Sequence, residues 1–259
     1  MSKAALALAT FLLPALQTIP QNLEALSDDF DGPESVSHWR NLSDAEGLPN
    51  RVGQIEVREG LLRIVPNSGA WWKGYHGVYL FKEVEGDFVV TTRLKVTGKK
   101  GGEPSGIWTI SGLLVRAPGD LRLAPAERKE NWIYLMTGRG PEESRVVDSK
   151  STVNGLNVWD ITPAQDGWYE LRIARTGARF VQWCRPNGSG WTLRKEILRD
   201  DLPKRLQVGI NVTADFKLSS TMPPAKYNAE LFPDRSSSDS LTLVDYVHFQ
   251  RDLPEANQR

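Results

Sequence analysis

WYELRIARTGARFVQWCRPNGSGWTLRKEILRDDLPKRLQVGINVTAD, residues 168–215, reads as a series of strands and tight turns. Tyr169, Leu171 and Ile173 alternate with Glu170 and Arg172, the run breaks at Thr176-Gly177, and a second run resumes at Arg179. That spacing predicts a β-hairpin. Pro186-Asn187-Gly188-Ser189-Gly190 supplies residues that tolerate positive φ, so the chain reverses again and Trp191-Thr192-Leu193 begins a third strand. After Pro203, Leu206, Val208, Ile210 and Val212 fall on one face and Gln207, Gly209, Asn211 and Thr213 on the other. This period of two marks a half-buried antiparallel strand.

The same grammar extends toward the amino terminus. QIEVREGLLRIVP predicts a structural hairpin turning at Glu59-Gly60, and Phe88, Val90, Thr92, Leu94 and Val96 place one face of a long strand in the core. In IWTISGLLVRAPG, Trp108, Ile110, Gly112, Leu114 and Arg116 share a face; in NWIYLMTG, Trp132, Tyr134 and Met136 do. Residues 120–130 read as a charged surface excursion, Glu142, Glu143 and Asp148 as part of a connection, and Asn154, Asn157, Trp159 and Asp160 as loop. The Pro- and Ser-rich stretch 221–240 reads as an exposed loop.

The strings WYELRIAR, FVQWCRPNGSGW and DLPKRLQVGINV, with the opening DDFDGPESVSHW, SGLLVRAP and NWIYLMTG, resemble secreted concanavalin A-like sandwich domains, among them the carboxy-terminal domains of some β-xylosidases. The resemblance implies an all-β, two-sheet antiparallel jelly-roll sandwich covering most of the chain past residue 27. Lectins, glycosidases, lyases and plain binding modules share that fold, so it does not by itself assign a function. It also implies pairing of the first strand with the last, Ser240–Gln250, which would bring Asp245 near Asp29.

The 259 residues are 40% hydrophobic and 25% charged, which suits one globular domain. Thirty-two basic and 32 acidic side chains cancel, leaving no global field to draw nucleic acid or an anionic membrane. Lys3 followed by AALALATFLLPAL is too short to span a bilayer and reads as a secretory signal. The expected organisation is a signal over 1–25, with the mature start between Gln17 and Asp28, and one domain over 26–259, secreted or periplasmic. Cys184 has no partner for an internal disulfide and is expected to be a buried, inert thiol.

Nine tryptophans point to chemistry. Indole faces stack on the apolar faces of sugar rings. The densest aromatic stretch, GAWWKGYHGVYLF, is expected as a strand whose adjacent Trp71 and Trp72 point to opposite faces, leaving either one free for a ligand or both buried. The candidate ligand-binding set is Trp72, His76, Trp108, Arg116, Trp132, Tyr134, Trp159, Trp183 and Asn211, for a poly- or oligosaccharide. Arg116 offers a planar fork of donors, and Asn211 both donates and accepts. The alternate Glu-x-Asp-x-x-Glu carboxylates of laminarinase-like relatives are absent from the sequence. His76, Glu103, Asp160 and Asp215 remain as candidate acids or bases for a hydrolase or lyase, and a scaffold that binds no sugar is the third alternative. Asp29, Asp31 and Asp245 offer hard oxygen ligands that suit calcium.

Overall fold

A computed structural model of the chain describes residues 21–214, 216–232 and 239–252. The expected signal through residue 20 and the candidate Asp215 therefore lie outside the described residues. In chain order the elements are β1 (Arg40–Asn41), α1 (Leu42–Glu46), β2 (Val52–Arg58), β3 (Leu61–Pro66), β4 (Val78–Glu85), β5 (Phe88–Thr97), β6 (Thr109–Arg116) and β7 (Trp132–Arg139). They continue with β8 (Arg145–Val153), β9 (Leu156–Pro163), β10 (Tyr169–Thr176), β11 (Arg179–Pro186), β12 (Thr192–Leu198), β13 (Arg205–Thr213), α2 (Phe216–Ser219), α3 (Pro224–Ala229) and β14 (Leu241–Gln250).

The strands form two seven-stranded antiparallel sheets, ordered β1-β4-β13-β6-β7-β8-β9 and β12-β11-β10-β5-β14-β3-β2. Alternation explains the layering. Leu113 and Val115 of β6, Ile133 and Leu135 of β7, and Val208 and Ile210 of β13 turn inward to meet Val90 and Leu94 of β5 and Leu171 and Ile173 of β10 in the principal core. Their neighbours in sequence face the other way. The outer face of the first sheet therefore carries a second apolar cluster, including Trp71, Tyr79, Phe81, Leu114, Trp132 and Met136. The predicted hairpins over 54–66 and 169–186 form as β2–β3 and β10–β11.

The first described segment does join the last strand, through an antiparallel bridge between Asp28 and Val247. Leu23 is buried in the principal core, and the Gln21 side chain bonds Glu83 O and Glu85 N. Cys184 is buried and free, and burial pushes its thiol up. Among the described residues no helix is long and apolar enough to cross a membrane.

Three expectations of local structure fail. Residues 71–77 are not a strand: β4 begins only at Val78, and the two adjacent tryptophans sit in a loop. The stretch expected as an exposed loop after 221 contains α3, whose Tyr227 is fully buried. Finally, 145–163 is neither connection nor loop but the β8–β9 hairpin. Asn154 (φ 50°) and Gly155 (φ 80°) form its two-residue turn, a dipeptide that selects the left-handed conformation needed there.

Candidate functional site

The outer face of the first sheet is a grid whose rows run across the strands. One row reads Gly209, Leu114, Tyr134, Lys150 and Trp159; the next reads Asn211, Gly112, Met136, Asp148 and Ile161. At the β9 end of this grid lies a pocket of about 500 Å³, within the range of roughly 300–1,000 Å³ usual for small-molecule sites. Its walls are Trp72, Trp108 and Trp159, and its floor includes Tyr134, Lys150 and Thr213.

Each wall is placed by a different device. Trp108 immediately precedes β6 at φ 56°, a left-handed conformation costly for a bulky residue. Its indole meets that of Trp159 edge to face, with centroids 5.6 Å apart and planes at 66°. Trp159 projects from the edge strand β9 and is 53% exposed. Trp72 stacks on Tyr75 (4.6 Å, 6°) and donates its indole N–H to Ser219 Oγ at 3.2 Å, so α2 holds it. The α3 side anchors the same loop: Tyr75 OH donates to Met222 O at 2.6 Å, and Asn228 bonds both the His76 N–H and Gly74 O. Lys73, the loop's tip at φ 50°, donates its backbone N–H to Asn157 Oδ1 across the pocket mouth.

The floor carries charge. Tyr134 OH donates to Asp148 Oδ2 at 2.6 Å, and Lys150 Nζ lies 3.5 Å from the same oxygen. Burial pushes the Asp148 carboxyl up, with Lys150 and the Tyr134 hydroxyl pulling back only in part; burial likewise pushes the Lys150 ammonium down against the opposing effect of Asp148. The Lys150 amine faces the rings of Tyr134, Trp108 and Trp159 at 5.0, 5.3 and 5.9 Å from their centroids. Asp148 Oδ1 and Thr213 Oγ1 are buried without a partner.

Four of the residues expected from sequence meet here: Trp72, Trp108, Tyr134 and Trp159. The others do not. Arg116 is fully buried, its guanidinium bonded by Glu46, Glu130 and Gln207, so its donors serve the fold and not a ligand. His76 joins the same network, with Nε2 at 2.9 Å from Glu130 Oε1. Trp132 is wholly enclosed, stacked on Tyr134 (5.2 Å, 8°) and met edge-on by Trp71. Asn211 is buried with its amide on Met136 Sδ at 3.2 Å. Next to it, Gly209 is required by the approach of β4, since a Cβ there would lie 2.0 Å from Leu80 O. Trp183 projects from β11 on the face opposite the buried Phe180 and Cys184, and so stands outside the second sheet.

The remaining candidate acids are also engaged elsewhere. Glu103 pairs with Arg145 at 2.6 Å and Asp160 with Arg194 at 3.4 Å. The calcium set does not converge: Asp29 meets His248 at 2.6 Å, Asp245 meets Arg93 at 2.6 Å, and Asp31 is exposed. Among the described residues no three His, Cys, Asp or Glu gather as a metal would require, so these residues do not fit the ion. The groups that sequence reading passed over are Asp148 and Lys150. In RVVDSKSTV they alternate with Val147 and Ser149, and the Asn-Gly turn that follows is the signal that would have placed them on a strand.

No protein-family model and no curated protein matches the sequence. Solved structures do match. A functionally unknown protein from Saccharomyces cerevisiae superposes with a TM-score of 0.55 at 12% identity, over 85% of this chain and 99% of that one. Xylan beta-1,4-xylosidase from Bacillus halodurans C-125 gives 0.59 at 16% identity, over 92% of this chain but only 41% of the xylosidase. A legume lectin-like domain from Entamoeba histolytica gives 0.50 at 13% identity, over 85% and 93%. The fold is a concanavalin A-like jelly-roll sandwich. At these identities the likeness is one of fold, and the chemistry has to be read from this sandwich's own pocket.

Proposed function

We propose that the pocket binds one or more units of a poly- or oligosaccharide. The observation that carries this is the edge-to-face pair Trp108 and Trp159, with Trp72 beside them, above a floor of Tyr134 and Lys150. Indole faces accept the C–H faces of a pyranose, while Lys150, Thr213 and the Asn157 amide supply polar contacts at its rim. Two fold neighbours, a xylosidase and a legume lectin-like domain, fit such a role. Export, to the medium or the periplasm, goes with this reading; amino-terminal sequencing of exported protein should find a first residue no later than Gln21, since Leu23 is part of the core.

Binding without cleavage is favoured by the pocket's lining. Glycoside hydrolysis ordinarily takes two carboxyl groups flanking the bond, and among the described residues none lines the pocket. The Asp148–Lys150 pair supports a second reading, acid–base cleavage through a carboxyl whose proton affinity burial has raised. The purified chain run on a polysaccharide panel, with retention and new reducing ends measured together, separates the two. Retention without release is expected; release abolished by Asp148→Asn would assign the second reading. Trp159→Ala should weaken retention at least about tenfold. Because that side chain is half exposed, stability should move by no more than about 0.5 kcal/mol. Unchanged affinity in both Trp108→Ala and Trp159→Ala would remove the pocket from consideration.

A further inference from the structure

Two cationic side chains, Lys73 and Lys150, line the pocket, and no Asp or Glu does so among the described residues. The chain as a whole is neutral, so this local imbalance is not a reflection of composition. Lys150 is the informative member. Its ammonium has three N–H donors, and the one acceptor recorded for it among the described residues is Asp148 Oδ2, at a loose 3.5 Å. That oxygen already accepts the Tyr134 hydroxyl at 2.6 Å. Toward the pocket the amine faces three aromatic rings within 6 Å. Ring faces compensate a desolvated cation in part, whereas an anionic oxygen brings both charge and lone pairs.

Asp148 would oppose an arriving anion, but the arrangement limits that opposition. Its carboxylate lies behind the floor and outside the pocket's lining, and it shares its charge with the Tyr134 hydroxyl. A carboxyl group at the edge of a sugar ring projects roughly in the ring's plane. A ring stacked on Trp108 or Trp159 can therefore present such a group to Lys150, whose amine stands over both indoles.

We infer that the saccharide is acidic: a glycan containing sugar units of the uronic acid type, held by stacking on Trp108 and Trp159 with its carboxylate on Lys150 Nζ. This rests on the saccharide reading and narrows it to one substrate class. Lys73 at the rim adds a second positive charge for a neighbouring unit of a polyanionic chain.

The test uses titration calorimetry of the full chain with matched probes: oligogalacturonate and oligoglucuronate, each against the same oligomer with its carboxyl groups reduced to alcohols. At least one acidic form should bind about tenfold more tightly than its reduced counterpart, about 1.4 kcal/mol. Raising salt should narrow the gap. Lys150→Gln should abolish the preference, so that the acidic form falls to the affinity of its reduced counterpart, and Lys150→Arg should keep it, with thermal melts confirming that both variants fold. Equal binding of acidic and reduced forms, or a preference that survives Lys150→Gln in a folded variant, would overturn the inference. If neutral glycans bind and neither acidic oligomer does, the acidic assignment fails while the saccharide reading stands. If no glycan of either kind binds, both fail.

Discussion

Replacing Arg116 with Met should destabilise the protein by about 3–5 kcal/mol, a fall in melting temperature on the order of 10 °C. The guanidinium is fully buried and bonded to Glu46 Oε1 at 2.5 Å and to Glu130 at 2.6 and 2.7 Å, with Gln207 Oε1 at 2.8 Å. Removing it leaves two carboxylates in the interior with His76 and Arg128 as their remaining basic contacts. The pH dependence should change sign. In the wild type, burial raises the carboxyl pKa values of Glu46 and Glu130, and Arg116, helped by His76, more than offsets this, so both sit below the usual carboxylate range. Their contribution to stability is then present above the unfolded-state value of about 4.3 and is lost as pH falls below it. Without Arg116, burial is opposed only by the weaker support of His76 and Arg128, and the folded-state values rise. The variant should then be relatively better at acid pH and lose stability as pH climbs toward neutrality. Urea unfolding of both proteins from pH 3 to 8 reads this directly; parallel pH profiles would mean that the network is not what ties α1 to β6. Glu130→Gln in the Arg116→Met background should recover part of the loss, as expected for groups that act as a unit.

Trp132→Ala should cost about 3–5 kcal/mol, the scale of a large side chain removed from a closed core. Trp132 has no exposed surface, stacks on Tyr134 and meets Trp71 at 88°. Its indole N–H is buried without a partner, so Trp132→Phe gives up no hydrogen bond and should recover most of the stability. If the pocket binds saccharide as proposed, affinity should follow the fold. The alanine variant loosens Tyr134, which lines the pocket floor and bonds Asp148 behind it, whereas the phenylalanine variant keeps the ring stack and should bind as wild type does. A stable Trp132→Ala protein that had lost its ligand would show instead that this indole reaches the sugar.

These contrasts show where sequence reading succeeds and where it stops. Alternation placed Leu206, Val208, Ile210 and Val212 in the core and put Trp108, Leu114 and Arg116 on one face with Trp132 and Tyr134 beside them, because a strand's pleat is a local property. Which face is covered is not local. Leu42 of α1 and Trp71 of the preceding loop close over Trp132, and Glu46 and Glu130, distant in sequence, converge on Arg116. An arginine at a strand end reads identically whether it meets solvent or two buried carboxylates. Trp183 escaped for a simpler reason: it lies on the right kind of strand in the wrong sheet. Asp148 and Lys150 were the avoidable omission, since Asn154-Gly155 announces the hairpin that carries them.

The aromatic wall hangs on that dipeptide. Asn154-Gly155 sets which β9 residue sits opposite Lys150, and the answer is Trp159, with Val158 opposite Ser151. Pleated chain has only two phases, so an insertion of a single residue beside Gly155 would rotate Val158 and Asp160 into the hollow and swing the indole out of it. A change that touches no side chain of the pocket would thus exchange a stacking surface for an aliphatic group and a negative charge, reversing both its shape and its polarity.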